Sequence, residues 1–263
     1  MSIICNSKEV SFVGGLFFFF VGLLIGSFLN SILYRFHTKR KIIFSRSICP
    51  KCNHPLLWYD LIPLVSFLLL SGKCRYCGAK ISWQYPIIEF TTGLIFFLNF
   101  IYFCNQLDLL FLSLFVGPVL ILIFVWDLKH KIIPDEFIMA GLVPLCIWLI
   151  WKFVSKDFLI VYKSLNGALL MSGFFLLLYL LSRGRWIGFG DVKLGVLLGL
   201  YLGFSKSLLA LFLSYLLGGI ISIGLVALKK KSLKSEIPFA PFLILGSFIS
   251  LFWGDYLFFI FSK

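Results

Sequence analysis

The chain has 263 residues, 60% of them hydrophobic and only 13% charged, with 32 phenylalanines and a formal net charge of +13. Its mean hydropathy is +1.02. Such a composition excludes an ordinary soluble domain and a disordered chain, and it makes membrane lipid the surroundings of most of the molecule.

Apolar stretches of the roughly 17 to 25 residues needed to cross a bilayer begin near Val10, Ile87, Leu109, Phe137, Lys163, Val192, Leu208 and Pro241. They predict an all-α polytopic membrane protein of about eight transmembrane helices. The runs are continuously apolar rather than alternating, so a β-barrel is disfavoured. The first run, Val10 to Leu33, is too long for the apolar core of a signal peptide and no small-residue cleavage site follows, so it is expected to stay attached. Within it Gly22 and Gly26 form a small-xxx-small pair suited to close helix packing.

Between the first two spans lies the one sizeable hydrophilic segment, from Arg35 to Tyr85. It holds CPKC (Cys49, Cys52) and CRYC (Cys74, Cys77), with 21 residues between the pairs. Each CxxC turn places two sulfurs on one side, so two such knuckles can close a tetrahedral thiolate site for structural zinc. With four protein ligands no position stays open for substrate, and the ion would hold the loop together rather than catalyse. Disulfides are the competing reading, disfavoured if the loop faces a reducing cytoplasm. His37 and His54 read as surface residues. Cys146, inside an apolar run, reads as a small core residue. Cys5 and Cys104 both fall on the opposite face, where a bridge is allowed but nothing in their spacing demands one.

Orientation follows from basic residues. Most of the 24 lysines and arginines fall on one face: in the first loop, at Lys129 and Lys131, at Arg183, Arg185 and Lys193, and at Lys229, Lys230, Lys231 and Lys234. That face is predicted to be cytoplasmic. The positive charge is then a topology signal, and nucleic-acid binding is not expected because no soluble fold is present to carry it.

Two aspartates on that face stand out, Asp127 in FVWDLKHKIIPD and Asp191 in GFGDVKL. A carboxylate at the bilayer edge is costly, so two that can approach each other point to function, with one able to act as general base and the other as general acid on a single water. Asp191 could instead cap the helix that follows it. Asp127 ends a helix, where the dipole disfavours negative charge. Asp135, after Pro134, reads as a helix-start cap.

These residues sit in segments that resemble, in order and over almost the whole chain, the type IV prepilin peptidases. They are GLLIGSFLNSILYR, CPKC with IPLVSF and CRYCGAKIS, YPIIE, WDLKHKIIPD, GFGDVKL and IPFAPFLILG. The resemblance implies that Asp127 and Asp191 are the catalytic pair of an intramembrane aspartyl protease in the bacterial inner membrane. It implies pilin or pseudopilin precursors as partners, whose basic leader is clipped at the cytoplasmic face. It also implies N-methylation of the new terminus with S-adenosylmethionine as methyl donor, which no motif here derives. The organisation expected is a first span at 1–34, a zinc-binding loop at 35–85 and a peptidase domain at 86–263. Departures from the family pattern are Asp60-Leu61-Ile62-Pro63, where an Asn commonly precedes Ile-Pro, Gln84 before Tyr85-Pro86, and Ala240 before Pro241-Phe242. A proton-coupled transporter and a non-catalytic zinc-loop scaffold are the alternatives. Transporters usually carry internal repeats with a site near the midplane, and a scaffold needs neither aspartate.

Overall fold

The apolar runs become helices almost end to end. A computed structural model of the protein describes residues 8–39, 41, 46–228 and 237–261; Cys5, Arg40 and the lysines from Lys229 to Lys234 lie outside them. The helices are α1 (Lys8–His37), α2 (Val65–Leu69), α3 (Gln84–Phe103), α4 (Leu107–His130), α5 (Asp135–Val154), α6 (Phe158–Ser182), α7 (Phe189–Ala227) and α8 (Ala240–Phe261), with a 3-10 turn at Trp58–Leu61. Among the described residues seven helices are long and apolar enough to cross a membrane. The expected sixth and seventh spans both lie within α7, which is broken at Gly203 with φ 73° and ψ 174°. That backbone region is open essentially to glycine alone. Pro118 and Pro144 sit inside α4 and α5.

The chain forms two compact units, Met1–Leu122 and Ile123–Lys263. In the first, α1 and α3 pack with their backbones nearly touching. A Cβ on Gly22 would stand 2.8 Å from the Gly93 Cα, and one on Gly26 would stand 2.7 Å from the Glu89 Cα. The small-xxx-small pair is therefore used inside the chain, as close helix packing in lipid requires. In the second unit α6 runs along α7, and a Cβ on Gly199 would meet the Ala168 Cα at 2.5 Å. Gly199→Val is expected to force α6 and α7 apart and lower the thermal unfolding midpoint in detergent, overpacking of this kind costing about 1–3 kcal/mol. An unchanged midpoint would show that the interface yields.

Two cysteines differ in fate. Cys146, expected in a protein core, is exposed on α5, because an apolar run in a membrane does not distinguish a lipid-facing position from a packed one. Cys104 is disulfide-bonded; Cys5, the partner considered for it, is outside the described residues.

Candidate active site and metal centre

The four cysteines of the loop converge. Their sulfurs all lie within 4.8 Å of one another, and those of Cys49 and Cys77 are 3.9 Å apart. A tetrahedral ion with metal–sulfur bonds of about 2.3 Å sets sulfurs about 3.8 Å apart, so the donor set fits zinc. The local cause is one turn used twice. The Cys49 amide donates to the His54 carbonyl at 3.0 Å and Asn53 donates back to Cys49 at 2.9 Å, while Cys74 donates to Ala79 at 2.8 Å and Gly78 to Cys74 at 2.9 Å. Ile48 bridges to Pro55, and Lys73 to Lys80, closing each turn. Asn53 and Gly78 hold φ of 56° and 69°, a left-handed conformation that their residue types adopt readily. Burial works against charge on Cys49, but the amides of Cys52 and Lys51 and the neighbouring thiols bring it down to about 7. It is thus ready to serve as a thiolate ligand.

Neither histidine joins the cluster. The His54 ring stacks on Tyr76 at 3.7 Å, and His37 belongs to the last turn of α1. Asp60, next to the departure at Leu61, fastens the second knuckle. Arg75 Nε donates to its Oδ1 at 2.8 Å, and Tyr76 Oη donates to its Oδ2 at 3.0 Å. Burial opposes ionisation of Asp60, yet Arg75, the Leu57 amide and Tyr76 together hold its carboxyl below the usual range.

The second unit contains both acidic candidates. Asp127, near the end of α4, is 5% exposed, and the Ala240 amide at the start of α8 donates to its carboxylate. Asp191 is the third residue of α7, behind Gly188 as N-cap, and its carboxylate accepts the Gly188 amide. Asp191 is thus not the N-cap considered from sequence, and the bond from Gly188 does not account for the neighbour: the Asp127 and Asp191 carboxylates are close enough to interact electrostatically. Among the described residues neither has a cation at ion-pair distance. Like charges placed together resist simultaneous ionisation, the arrangement that divides acid and base roles between two carboxylates.

Asp135 departs from expectation. It makes no capping bond, because Pro134 occupies the N-cap and Asp135 is already helical. Its carboxylate instead accepts both bonds from Lys193 Nζ, at 2.6 and 2.8 Å, pinning the first turn of α5 to the second turn of α7. The two side chains are 66% and 36% exposed, and pairs so exposed contribute at most about 1 kcal/mol. Asp135→Asn is therefore expected to keep activity within about tenfold of wild type; complete loss at normal protein levels would give Asp135 a larger role.

Sequence reasoning also missed Tyr215, which lies within electrostatic reach of Asp191. Its ring meets Phe239 at 5.0 Å and Phe174 at 5.7 Å, forming an aromatic wall beside the acid pair. No local pattern announces it, since Tyr215 follows the break at Gly203. Beyond that break Lys206 pairs with Asp255 at 3.0 Å. About 18 Å of helix separates Asp191 from Gly203, less than the roughly 30 Å of a hydrocarbon core. Both polar levels cannot lie outside an undeformed bilayer.

Comparison with known proteins adds names to this geometry. Residues 114–223 match the sequence profile of the Type IV leader peptidase family, and residues 20–103 that of the Bacterial Peptidase A24 N-terminal domain. A "Prepilin leader peptidase/N-methyltransferase" of Aeromonas salmonicida is 32% identical over 90% of both chains. Proteins with the same name from Bacillus subtilis and Pseudomonas aeruginosa are 31% and 28% identical, the first over 90% of this chain and 93% of the relative, the second over 89% of each. No solved structure matches the chain.

Proposed function

The chain belongs to the type IV leader peptidase family, and from that premise we propose that it cleaves the leader from type IV prepilins or pilin-like pseudopilins, with Asp127 and Asp191 as the catalytic pair. The observation that carries this reading is the pairing, across α4 and α7, of two carboxylates that have no cation at ion-pair distance among the described residues. In the proposed chemistry one carboxylate, ionised, takes a proton from water as it attacks the scissile carbonyl. The other, protonated, donates to that carbonyl oxygen and later supplies the leaving amine. The Ala240 and Gly188 amides keep each carboxylate oriented. An apolar precursor helix would lie laterally against the spans, with the bond to be cut at the level of the acid pair.

The name of the relatives also supports N-methylation of the new terminus, S-adenosylmethionine supplying the methyl group when bound. The described residues contain no strand and hence no Rossmann unit, so no residue is assigned to the methyl donor. Zinc, held by Cys49, Cys52, Cys74 and Cys77, serves structure. The functional division is a first span at 1–34, the metal-binding loop at 35–85 and the peptidase part at 86–263. The location is the bacterial inner membrane, catalytic face to the cytoplasm, as the basic loops favour. Co-expression with candidate pilin precursors tests the reading: the leader should disappear and the mass of the new N-terminus should report methylation. Precursors that stay intact beside a well-inserted protein would refute it.

A further inference from the structure

The loop expected to be hydrophilic carries an apolar run of its own, LIPLVSFLLL from Leu61 to Leu70, with no charged residue. A run of this length is too short to cross a bilayer and fits an interfacial or re-entrant segment. Three of its side chains on α2, Val65, Leu68 and Leu69, are 48%, 72% and 78% exposed, and Trp58 and Trp83 flank them at 77% and 69%. A patch of large apolar groups left open in this way marks an interaction surface.

Two hydrogen bonds set the level of the run against the spans. Ser27 Oγ donates to the Leu61 carbonyl at 3.5 Å, and the Leu64 amide donates to Glu89 Oε2 at 2.9 Å. Along the helix axes Ser27 lies about 15 Å inside the end of α1, and Glu89 about 7.5 Å inside the start of α3. The segment therefore hangs below the helix ends, beside the turns of α1 and α3 that carry Ser27 and Glu89. Leu64 turns the chain with φ 60°, and Gly72 turns it again with φ 67°. Phe67 meets the ring of Trp83 at 5.0 Å, holding α2 beside the entry to α3. The nearest charge, Asp60, is already engaged by Arg75. The knuckles on either side of the run carry exposed Lys51, Lys73 and Lys80, charges of the sign that anionic headgroups attract.

We propose that residues 61–70 are a membrane anchor: α2 dips into the leaflet that carries the loop, with Val65, Leu68 and Leu69 among the acyl chains, and holds the metal-binding knuckles against the bilayer surface. The occupant of the patch is lipid, and the proposal stands apart from the reaction assigned to the enzyme. Two experiments on the full-length protein in phosphatidylcholine and phosphatidylglycerol vesicles test it. With p-benzoylphenylalanine replacing Leu69, irradiation should yield lipid adducts at that residue, whereas the same replacement of Lys51 should not. Adducts to another segment, to a second copy or to a co-reconstituted precursor would overturn the anchor, as would no adduct at all. In the second, Leu68→Glu with Leu69→Glu should speed amide exchange across residues 61–72 by about tenfold, while Leu68→Ile with Leu69→Ile leaves it unchanged. Equal exchange in the glutamate variant and wild type would also overturn it.

Discussion

Asp127→Asn and, separately, Asp191→Asn are expected to abolish leader cleavage while the protein inserts and accumulates normally. Asparagine keeps the volume and still accepts from the Ala240 or Gly188 amide, so the fold around each position should survive. What it removes is the capacity to take or give a proton at that site. A general acid or base is worth about 10²–10⁴ in rate, and groups acting as a unit lose most of that with the first deletion. The double variant should accordingly be little worse than either single one. Cleavage assays with a precursor in vesicles measure this directly, and substantial processing by either variant would sink the assignment. Asp135→Asn is the matched control, sitting eight residues from Asp127 and, among the described residues, engaged by Lys193.

Replacing Cys49, Cys52, Cys74 and Cys77 by serine should remove about one zinc per chain and unfold the loop. Structural zinc sites contribute on the order of 10–16 kcal/mol of binding at neutral pH, far more than the ring stacking of His54 on Tyr76 or the Asp60–Arg75 pair could replace. Metal analysis of purified protein measures the first part, and stoichiometric zinc in the quadruple variant would refute the ligand set. The four ligands belong to the first compact unit and both aspartates to the second. Methylation is therefore expected to fall more than cleavage. Equal loss of both, with normal insertion, would mean that the loop also serves the peptidase.

Certain features were legible because their causes are local. A CxxC turn is specified within a few residues, so the four-cysteine cluster could be read from two tetrapeptides, and the left-handed Asn53 and Gly78 that close them are turn residues by type. An apolar run either is or is not long enough to cross a bilayer, so the helices emerge close to their expected positions. A carboxylate at the edge of such a run is costly wherever it lies, which singled out Asp127 and Asp191 before their electrostatic proximity was known.

The rest depends on partners distant in sequence. Asp135 looks like a cap in its own segment, and only the approach of α7, 58 residues on, makes it the partner of Lys193. Gly203 resembles other glycines in the run until its backbone angles show a break. Cys146 and its apolar neighbours carry no mark that separates lipid contact from protein contact, since both environments favour the same residue types. The same ambiguity hid α2, an apolar patch inside a loop whose level is set by Ser27 and Glu89 on two other helices. By itself, then, the sequence determined the helical membrane class and singled out the four cysteines that cluster and the two aspartates that lie within electrostatic reach of each other. Tertiary structure alone decided which charges meet and which apolar faces stay open, because close approach depends on where each helix backbone can pack and not on any residue's own preference.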